Sequence, residues 1–315
     1  GNPLQYLPQN ASMGLYRNVT VPRAKTHTRE AWRLLPDFIT PQNPGRIRYN
    51  MRHNETNKHQ RMMKNFYRMA TEVDTSCGRL MKLLGRQGVL NNTLVIFTTD
   101  NGLFQGEHGL ADKWYPHEES IRVPLIIKDP RMPKEKIGTV DDNFVLNIDL
   151  APTILSAAGI DIPERMQGRD ISQLYYHPDA TTNGDSREQG GGKVKEEVGE
   201  WRNEFFYEHP KIPPPVLARQ MAAMKAKQFQ RAVKQMASMK AKQMKMAAKQ
   251  TIPASEALVR KEFKYFYWPD YKVEQLFHVG GGDPYEEVDL VNNPQYSDIM
   301  TEMRERHRQL KEMVV

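Results

Sequence analysis

The chain has 315 residues, of which 39% are hydrophobic and 26% are charged. This length is enough for one large α/β domain and a smaller unit, and no apolar run approaches the length of a membrane span. Because Cys77 is the only cysteine, an internal disulfide is excluded.

The positive charge of the chain is concentrated in one segment. The formal net charge is +7, and residues 217–250 contain nine Lys and Arg and no Asp or Glu, so the other residues are close to neutral. We therefore expect no nucleic-acid partner. The repeat of MAAMKAKQ as MASMKAKQ in this segment predicts a basic amphipathic helix. Such a helix is either simply solvated or contacts a polyanion, a membrane surface or a partner groove.

The first half of the chain begins with an extended stretch and continues as a helix. Residues 1–57 are rich in Pro, Asn and Arg and predict a loop-rich lead-in. Apolar residues then recur at three- and four-residue steps and predict a helix over residues 58–84. Cys77 lies on this apolar stripe, so we expect it to be buried by packing rather than to act as a nucleophile.

Strand and helix patterns alternate after this helix. Apolar runs predict a strand at 94–99 and another within 122–130. The run IDLAPTILSAAG predicts a helix that Asp149 caps and Gly159 ends. The alternation of helix, strand, strand and helix is typical of an α/β fold with a mostly buried sheet.

The C-terminal part predicts a small antiparallel sheet and a helix. The aromatic runs NEFFYEH, EFKYFYWPD and KVEQLFHV are strand-like, and Pro269-Asp270 joins the last two as a hairpin. An amphipathic helix begins at about Gln295. The predicted organisation is an α/β part at 1–177, a linker at 178–200, and a small subdomain at 201–315 with a basic insertion at about 216–250.

Adjacent oxygen-bearing side chains follow the strand at 94–99. The strand ends at Asp100-Asn101-Gly102, and the loop after it carries His108 and Lys113. Asp-Asn-Gly is strong turn chemistry, which by itself ends strands without any further role. A carboxylate and an amide oxygen are also hard ligands for Ca²⁺ or Mg²⁺, and ligands bind at the carboxyl ends of strands in open α/β sheets. Lys113 adds a cation that can neutralise an oxyanion.

Several motifs around this loop occur in a characteristic order. NTLVIFTTDNG, GEHGLADK, EESIRVPLII and IDLAPTILSAAGIDIPERMQGRD are followed by FKYFYW, EQLFHV and DPYEEVDL. This order resembles the second half of formylglycine-dependent, arylsulfatase-type sulfatases in the alkaline-phosphatase-like superfamily. The resemblance implies an alkaline-phosphatase-like α/β sandwich with a small C-terminal antiparallel sheet and helix.

The resemblance also implies roles for individual residues. Asp100 and Asn101 match the pair that binds one Ca²⁺ beside the sulfate, with Mg²⁺ as the less favoured ion. Lys113 matches the lysine that contacts the sulfate group and serves catalysis, and His108 matches a loop histidine near the substrate. Without the resemblance, His108 would be interpreted as a solvated loop residue and Lys113 as a surface lysine.

One part of the sulfatase pattern is missing from the sequence. No Cys/Ser-x-Pro-x-Arg stretch, whose Cys or Ser becomes formylglycine, occurs in the 315 residues. Since hydrolysis requires the nucleophile, we expect this chain alone to be inactive. The chain starts at Gly1 without an initiator Met, and we interpret it as a fragment or processed chain.

The sequence therefore predicts a sulfuric ester hydrolase that cleaves sulfate esters of a carbohydrate or an aryl sulfate. Two alternatives are open: a phosphoesterase of the same superfamily, and a non-catalytic sulfatase-like protein that binds polyanions through residues 217–250. Zinc phosphatases of the superfamily have Asp-His where this chain has Asp-Asn, and imidazole suits zinc better. A secreted, periplasmic or endomembrane/lysosomal location is expected, and four glycosylation sequons are compatible with it.

Overall fold

The computed structural model describes residues 6–176, 200–212 and 251–314. The basic segment 217–250 and the predicted linker, except Glu200, lie outside the described residues. The helices are α1 (Arg29–Leu34), α2 (Pro44–Arg52), α3 (Thr56–Arg86), α4 (Glu118–Ile121), α5 (Leu150–Ala157) and α6 (Ser297–Val314). The strands are β1 (Val95–Thr98), β2 (Phe104–Gln105), β3 (Ala111–Asp112), β4 (Leu125–Lys128), β5 (Glu204–His209), β6 (Ser255–Arg260), β7 (Lys264–Trp268) and β8 (Val273–Phe277).

Contacts divide the chain into two compact units. The first unit contains Gly1–Arg79, Asn101–Arg122 and Phe206–Val315, and the second contains Leu80–Asp100 and Val123–Phe205. Among the described residues, no helix combines the length and apolarity needed to cross a membrane.

The first unit is built around the four-stranded sheet β5-β6-β7-β8. β6, β7 and β8 are antiparallel neighbours, and the predicted hairpin at Pro269-Asp270 joins β7 to β8. One core cluster packs Trp268 of β7 with Phe104, Leu110 and Tyr115 of the loop after β1. A second cluster packs Tyr265 and its strand neighbours against α6. The predicted C-terminal sheet and helix are confirmed, and β6 is an additional strand that the pattern did not indicate.

The lead-in predicted for residues 1–57 contains two helices that were missed. The Thr28 hydroxyl caps α1 by accepting from the Ala31 backbone N–H, and the Asn43 side chain caps α2 by accepting from the Gly45 N–H. Pro44 occupies the first turn of α2, where a missing N–H costs nothing. These caps explain why short helices form in a segment without a long apolar repeat.

Three histidines of the first unit, His27, His53 and His59, form a buried cluster. His53 Nδ1 lies 3.2 Å from His59 Nδ1, and the rings of His27 and His59 are 5.3 Å apart. Burial is the main cause that lowers the pKa of His27 to about 4 and that of His53 to about 3, and neighbouring arginine and histidine groups contribute to both values. The cluster is therefore neutral at pH 7.

The second unit holds a two-stranded sheet and α5. β1 and β4 are antiparallel, with Val95 opposite Lys128 and Thr98 opposite Leu125. The predicted strands are confirmed, but the expected burial is wrong: Ile126 is 64% exposed and no residue of either strand is fully buried. The predicted apolar stripe of α3 is likewise exposed at Val73 and Leu80, and Cys77 on that stripe is only half-buried.

α5 begins and ends where the sequence predicts, but its start is stabilised differently. Gly159 follows the helix with a left-handed φ of 69°, as a glycine stop signal requires. Asp149 occupies the N-cap position but makes no side-chain cap. Its carboxylate instead accepts from the Leu146 and Arg169 backbone N–H groups and pairs with Arg202.

Candidate functional site

The loop between β1 and α4 contains all of the predicted site residues. Asp100 is the last residue of its segment of the second unit, and Asn101 begins the segment of the first unit that runs to Arg122. Lys113 Nζ donates a hydrogen bond to Asn101 Oδ1, although the two residues are twelve positions apart. Asn101 Nδ2 donates to the Gly102 carbonyl at 2.6 Å. This second contact fixes the orientation of the amide, so that its oxygen is directed to the lysine.

A short hairpin brings the two ends of the loop together. β2 and β3 pair antiparallel, with Phe104 opposite Asp112 and Gln105 opposite Ala111. The residues just before β2 and just after β3 therefore lie at the same end of the ladder. This geometry explains how Asn101 meets Lys113.

The turn that holds Asn101 packs directly on the backbone of α4. The Gly102 N–H donates to the Ser120 carbonyl at 2.9 Å. A Cβ atom at Gly102 would lie 2.2 Å from the Glu119 carbonyl oxygen, so only glycine fits here. The glycine in Asp100-Asn101-Gly102 is thus required by this close approach to α4.

His108 is buried, so the alternative interpretation as a solvated loop residue is wrong. It is 1% exposed, and its ring packs 4.9 Å from that of His117. Burial lowers the pKa of His108 to about 4, so it is neutral at pH 7. Its Nε2 atom lies 3.8 Å from Glu119 Oε1, too long for a hydrogen bond.

A network of charged side chains holds the start of α4, and its Lys264 and Glu286 side chains are buried. Lys264 Nζ pairs with Glu286 Oε1 at 2.7 Å and with Glu118 Oε2 at 2.5 Å. A Glu286 oxygen also accepts the Glu118 backbone N–H at 3.0 Å. Burial, aided by the Glu286 carboxylate, raises the pKa of Glu119 to about 8. Glu119 is therefore mostly protonated at pH 7, whereas Lys264 carries its charge.

Sequence reasoning missed Lys264 and Glu286 as members of this network. Lys264 is a lysine inside an aromatic strand, KYFYW. A charged residue at such a position was a readable signal of a buried ion pair.

His209 lies in β5, and burial and the charge of Lys113 both contribute to its lowered pKa. Burial is the main cause that lowers the pKa of His209, and the Lys113 ammonium also contributes. Its Nδ1 atom is buried and, within the described part of the chain, has no hydrogen-bond partner. The structure thus adds His209 to the surroundings of Lys113.

The donor atoms present fit calcium in kind. Asp100 offers a carboxylate and Asn101 an amide oxygen, the hard ligands that Ca²⁺ prefers. Calcium takes about six to eight oxygen ligands, so these two residues alone would not complete a shell. Among the described residues, no group of three or more His, Cys, Asp or Glu side chains is arranged to hold a metal ion.

Two family models match overlapping parts of the sequence. The model described as Sulfatase matches residues 24–160, and the model described as N-sulphoglucosamine sulphohydrolase, C-terminal, matches residues 106–244. The first contains Asp100, Asn101, His108 and Lys113, and the second begins within the loop that carries Lys113.

Several of the named relatives are sulfatases. The chain is 30% identical to the N-acetylglucosamine-6-O-sulfatase of Bacteroides thetaiotaomicron over 173 residues, which is 55% of this chain and 28% of that protein. It is 36% identical to an arylsulfatase of Clostridium perfringens over 37% of this chain and 24% of that protein. The chain thus spans about a quarter of the length of these relatives.

Solved structures share the fold over almost the whole chain. A protein in complex with its substrate, D-glucosamine-2-N,6-O-disulfate, has a TM-score of 0.66 at 18% identity, with 98% of this chain and 63% of that chain covered. The phosphonate monoester hydrolase of Silicibacter pomeroyi has a TM-score of 0.69 at 18% identity, with 98% and 53% covered. The predicted alkaline-phosphatase-like α/β fold class is therefore confirmed. The two family models, the sulfatase relatives and the shared fold together support a member of the sulfatase family.

Proposed function

We propose that this chain is the C-terminal portion of a sulfuric ester hydrolase, with residues 1–177 in its catalytic domain and residues 201–315 in a small C-terminal subdomain. The observation that carries the proposal is the contact between Lys113 and Asn101, directly after Asp100. Asp100 and Asn101 would offer hard oxygen ligands to a metal ion, and the Lys113 ammonium would offer positive charge to a sulfate group.

Each of these residues has a distinct part in the proposed chemistry. Asp100 and Asn101 hold one Ca²⁺, which when bound supplies positive charge to the sulfate oxygens. Lys113 donates to a sulfate oxygen and stabilises the negative charge that develops there during ester cleavage. Asn101 orients Lys113 through its amide oxygen. Because Lys is a compact point charge on a flexible stem, this orientation restricts where its charge is placed.

We place the nucleophile outside these 315 residues. The proposed nucleophile is a formylglycine, and the sequence contains no Cys/Ser-x-Pro-x-Arg stretch to form one. In this proposal the chain supplies substrate contact and metal ligands, but it does not supply the nucleophile. We therefore expect the 315-residue chain alone to be inactive.

The proposed substrate is a sulfated carbohydrate or an aryl sulfate. Relatives named for a sulfated amino sugar and for the polysaccharide ulvan favour the carbohydrate. His108 is a buried residue of the loop between β1 and α4. Its proposed contribution to substrate binding is therefore to support the loop rather than to touch the sugar. Contact of residues 217–250 with a polyanionic substrate is proposed from their charge alone.

A phosphoesterase is the second candidate, and a specific likeness favours it. Phosphonate monoester hydrolases share the fold, and one relative is named a multifunctional alkaline phosphatase superfamily protein. Asn101 argues against a zinc phosphatase, since an amide oxygen is a poor substitute for an imidazole ligand of zinc. The identity of the metal therefore separates a zinc phosphatase from the sulfatase.

The proposed location is outside the cytosol, in a secreted, periplasmic or endomembrane compartment. Extracellular sulfatases of Drosophila melanogaster and Caenorhabditis elegans are among the relatives. The asparagines of the four sequons, Asn10, Asn18, Asn54 and Asn91, are all exposed. Exposure leaves them accessible to glycosylation.

The natural protein that contains this chain should hold one calcium ion per chain. We expect elemental analysis to find calcium and little zinc, and Asp100→Ala to remove the calcium because a carboxylate ligand is lost. Asp161→Asn, at an exposed aspartate, is the matched control and should keep the ion. Stoichiometric zinc, or calcium retained by Asp100→Ala, would contradict the assignment. The isolated 315-residue chain should bind calcium weakly.

A further inference from the structure

Lys113 lies between two residues with left-handed backbone. Asp112 has a φ of 73° and Trp114 has a φ of 95°. This conformation is unfavourable for residues with side chains and persists only where the surroundings impose it. Because Lys113 is the middle residue, the direction of its side chain depends on both neighbours keeping this conformation.

One arginine contacts both of these neighbours. Arg48 pairs through its guanidinium with Asp112 Oδ2, and the same guanidinium lies 4.8 Å from the centre of the Trp114 ring. Arg52, one turn later on α2, pairs with the other carboxylate oxygen of Asp112. Arg48 therefore links the residue before Lys113 to the residue after it.

The two arginines differ in their surroundings. The Arg48 side chain is 34% exposed, whereas that of Arg52 is 8% exposed. Arg52 also lies 5.7 Å from the Tyr6 ring centre, so it belongs to the packing of the first unit. Replacement of Arg48 should therefore disturb the loop without opening the core.

Other contacts hold the outer ends of the segment. Asp112 pairs with Phe104 in the β2–β3 ladder, and the Trp114 carbonyl accepts from the Ser255 hydroxyl at 3.2 Å. These contacts fix where the segment enters and leaves. Arg48 acts between them, at the side chains on either side of Lys113.

We propose that Arg48 is a positioning residue, which clamps Asp112 and Trp114 so that Lys113 is directed to Asn101. The proposal rests on the proposed function, in which Lys113 contacts the sulfate group. A planar guanidinium suits this task because it donates to a carboxylate and stacks on an aromatic ring at once. A lysine at position 48 would keep the charge but lose this planar double contact.

The clamp is tested first by amide hydrogen exchange in the 315-residue chain. Arg48→Gln should speed exchange across residues 112–115 about tenfold, since it removes a charge-assisted hydrogen bond. Exchange in β7 should not change. Arg48→Lys should give an intermediate rate, and Arg33→Gln, at an exposed arginine of α1, should have no effect. Unchanged exchange at 112–115 in Arg48→Gln would overturn the clamp.

A double-mutant cycle identifies the partner. Asp112→Asn keeps a residue that tolerates left-handed backbone but removes the ion pair. If Arg48 acts through Asp112, the effects of Arg48→Gln and Asp112→Asn on exchange should be less than additive. Fully additive effects would overturn the proposed link through Asp112.

The effect of Arg48 on catalysis is tested in the natural protein. Arg48→Gln should lower kcat for a sulfate ester by about tenfold or more, and Arg48→Lys should recover part of the loss. Full activity of Arg48→Gln beside an inactive Lys113→Ala would overturn the positioning role. Full activity of Lys113→Ala would instead overturn the proposed role of Lys113 in sulfate contact, whereas the exchange experiment judges the clamp separately.

Discussion

Lys113→Ala is expected to lower kcat/KM for a sulfate ester by about 10²- to 10³-fold in the natural protein, as removal of one oxyanion donor typically does. The structure provides the reason: Lys113 Nζ is directed to the Asn101 amide oxygen, beside the aspartate that we propose as a calcium ligand. The loss should lie mainly in kcat, because developing charge in the transition state is what the ammonium stabilises.

The control for this experiment is a lysine outside the loop. Lys134→Ala, at an exposed position of the second unit, should leave kcat/KM within about twofold, since surface substitutions away from a site have small effects. Circular dichroism should show that both variants are folded. Near-normal kcat/KM in a folded Lys113→Ala protein would contradict the assignment of Lys113.

Asp149→Ala should destabilise the second unit by about 3–5 kcal/mol, the usual cost of breaking a buried ion pair by removing one partner. The Asp149 side chain is fully buried and that of Arg202 is 9% exposed. Asp149 also accepts the Leu146 N–H at 2.7 Å and the Arg169 N–H at 2.8 Å. The substitution therefore leaves one buried cation and two backbone donors without their acceptor.

The stability of the second unit can be followed through Trp201, whose Nε1 donates to the Phe144 carbonyl at 2.9 Å. Urea unfolding monitored by its fluorescence reports this unit, and the other three tryptophans should be replaced by phenylalanine in all variants compared. Glu164→Gln, at an exposed position of the second unit, is the control and should cost at most about 0.5 kcal/mol. A loss below about 1 kcal/mol in Asp149→Ala would show that the buried pair does not hold this unit together.

Local patterns allowed much of the fold to be predicted. The apolar runs gave β1 and β4, and the aromatic runs gave β7, β8 and their hairpin. The two short helices α1 and α2 were missed even though their caps, Thr28 and Asn43, were visible in the sequence. β6 was missed because five of its six residues are buried, which removes the alternation that identifies a half-buried strand.

Burial in the candidate site could not be predicted from the sequence. Nothing local to His108 indicates that His117 and Phe104 pack against it, so an exposed loop was expected. Similarly, Asp149 has the sequence context of a helix cap, but Arg202, 53 positions later, takes its carboxylate. Contacts between distant residues decide these environments, whereas sequence patterns report only near neighbours.

The predicted closeness of Asn101 and Lys113 came from the family resemblance, not from spacing. Twelve residues separate them, and only the β2–β3 ladder and the close approach of Gly102 to α4 bring them together. The strands of that ladder contain two residues each, too few to produce a periodic signal. The contact of Arg48 with Asp112 could not be predicted either, because these residues are 64 positions apart in the sequence.

We propose that Asp100, Asn101 and Lys113 together serve the cleavage of a sulfate ester. The most direct measurement is ion chromatography of inorganic sulfate and phosphate released by the natural protein, in calcium buffer, from matched sulfate and phosphate esters of N-acetylglucosamine and of a nitrophenol. We expect release of sulfate, abolished by Asp100→Ala, with phosphate esters cleaved far more slowly. Faster release of phosphate, or sulfate release that survives Asp100→Ala, would contradict the roles proposed for these residues.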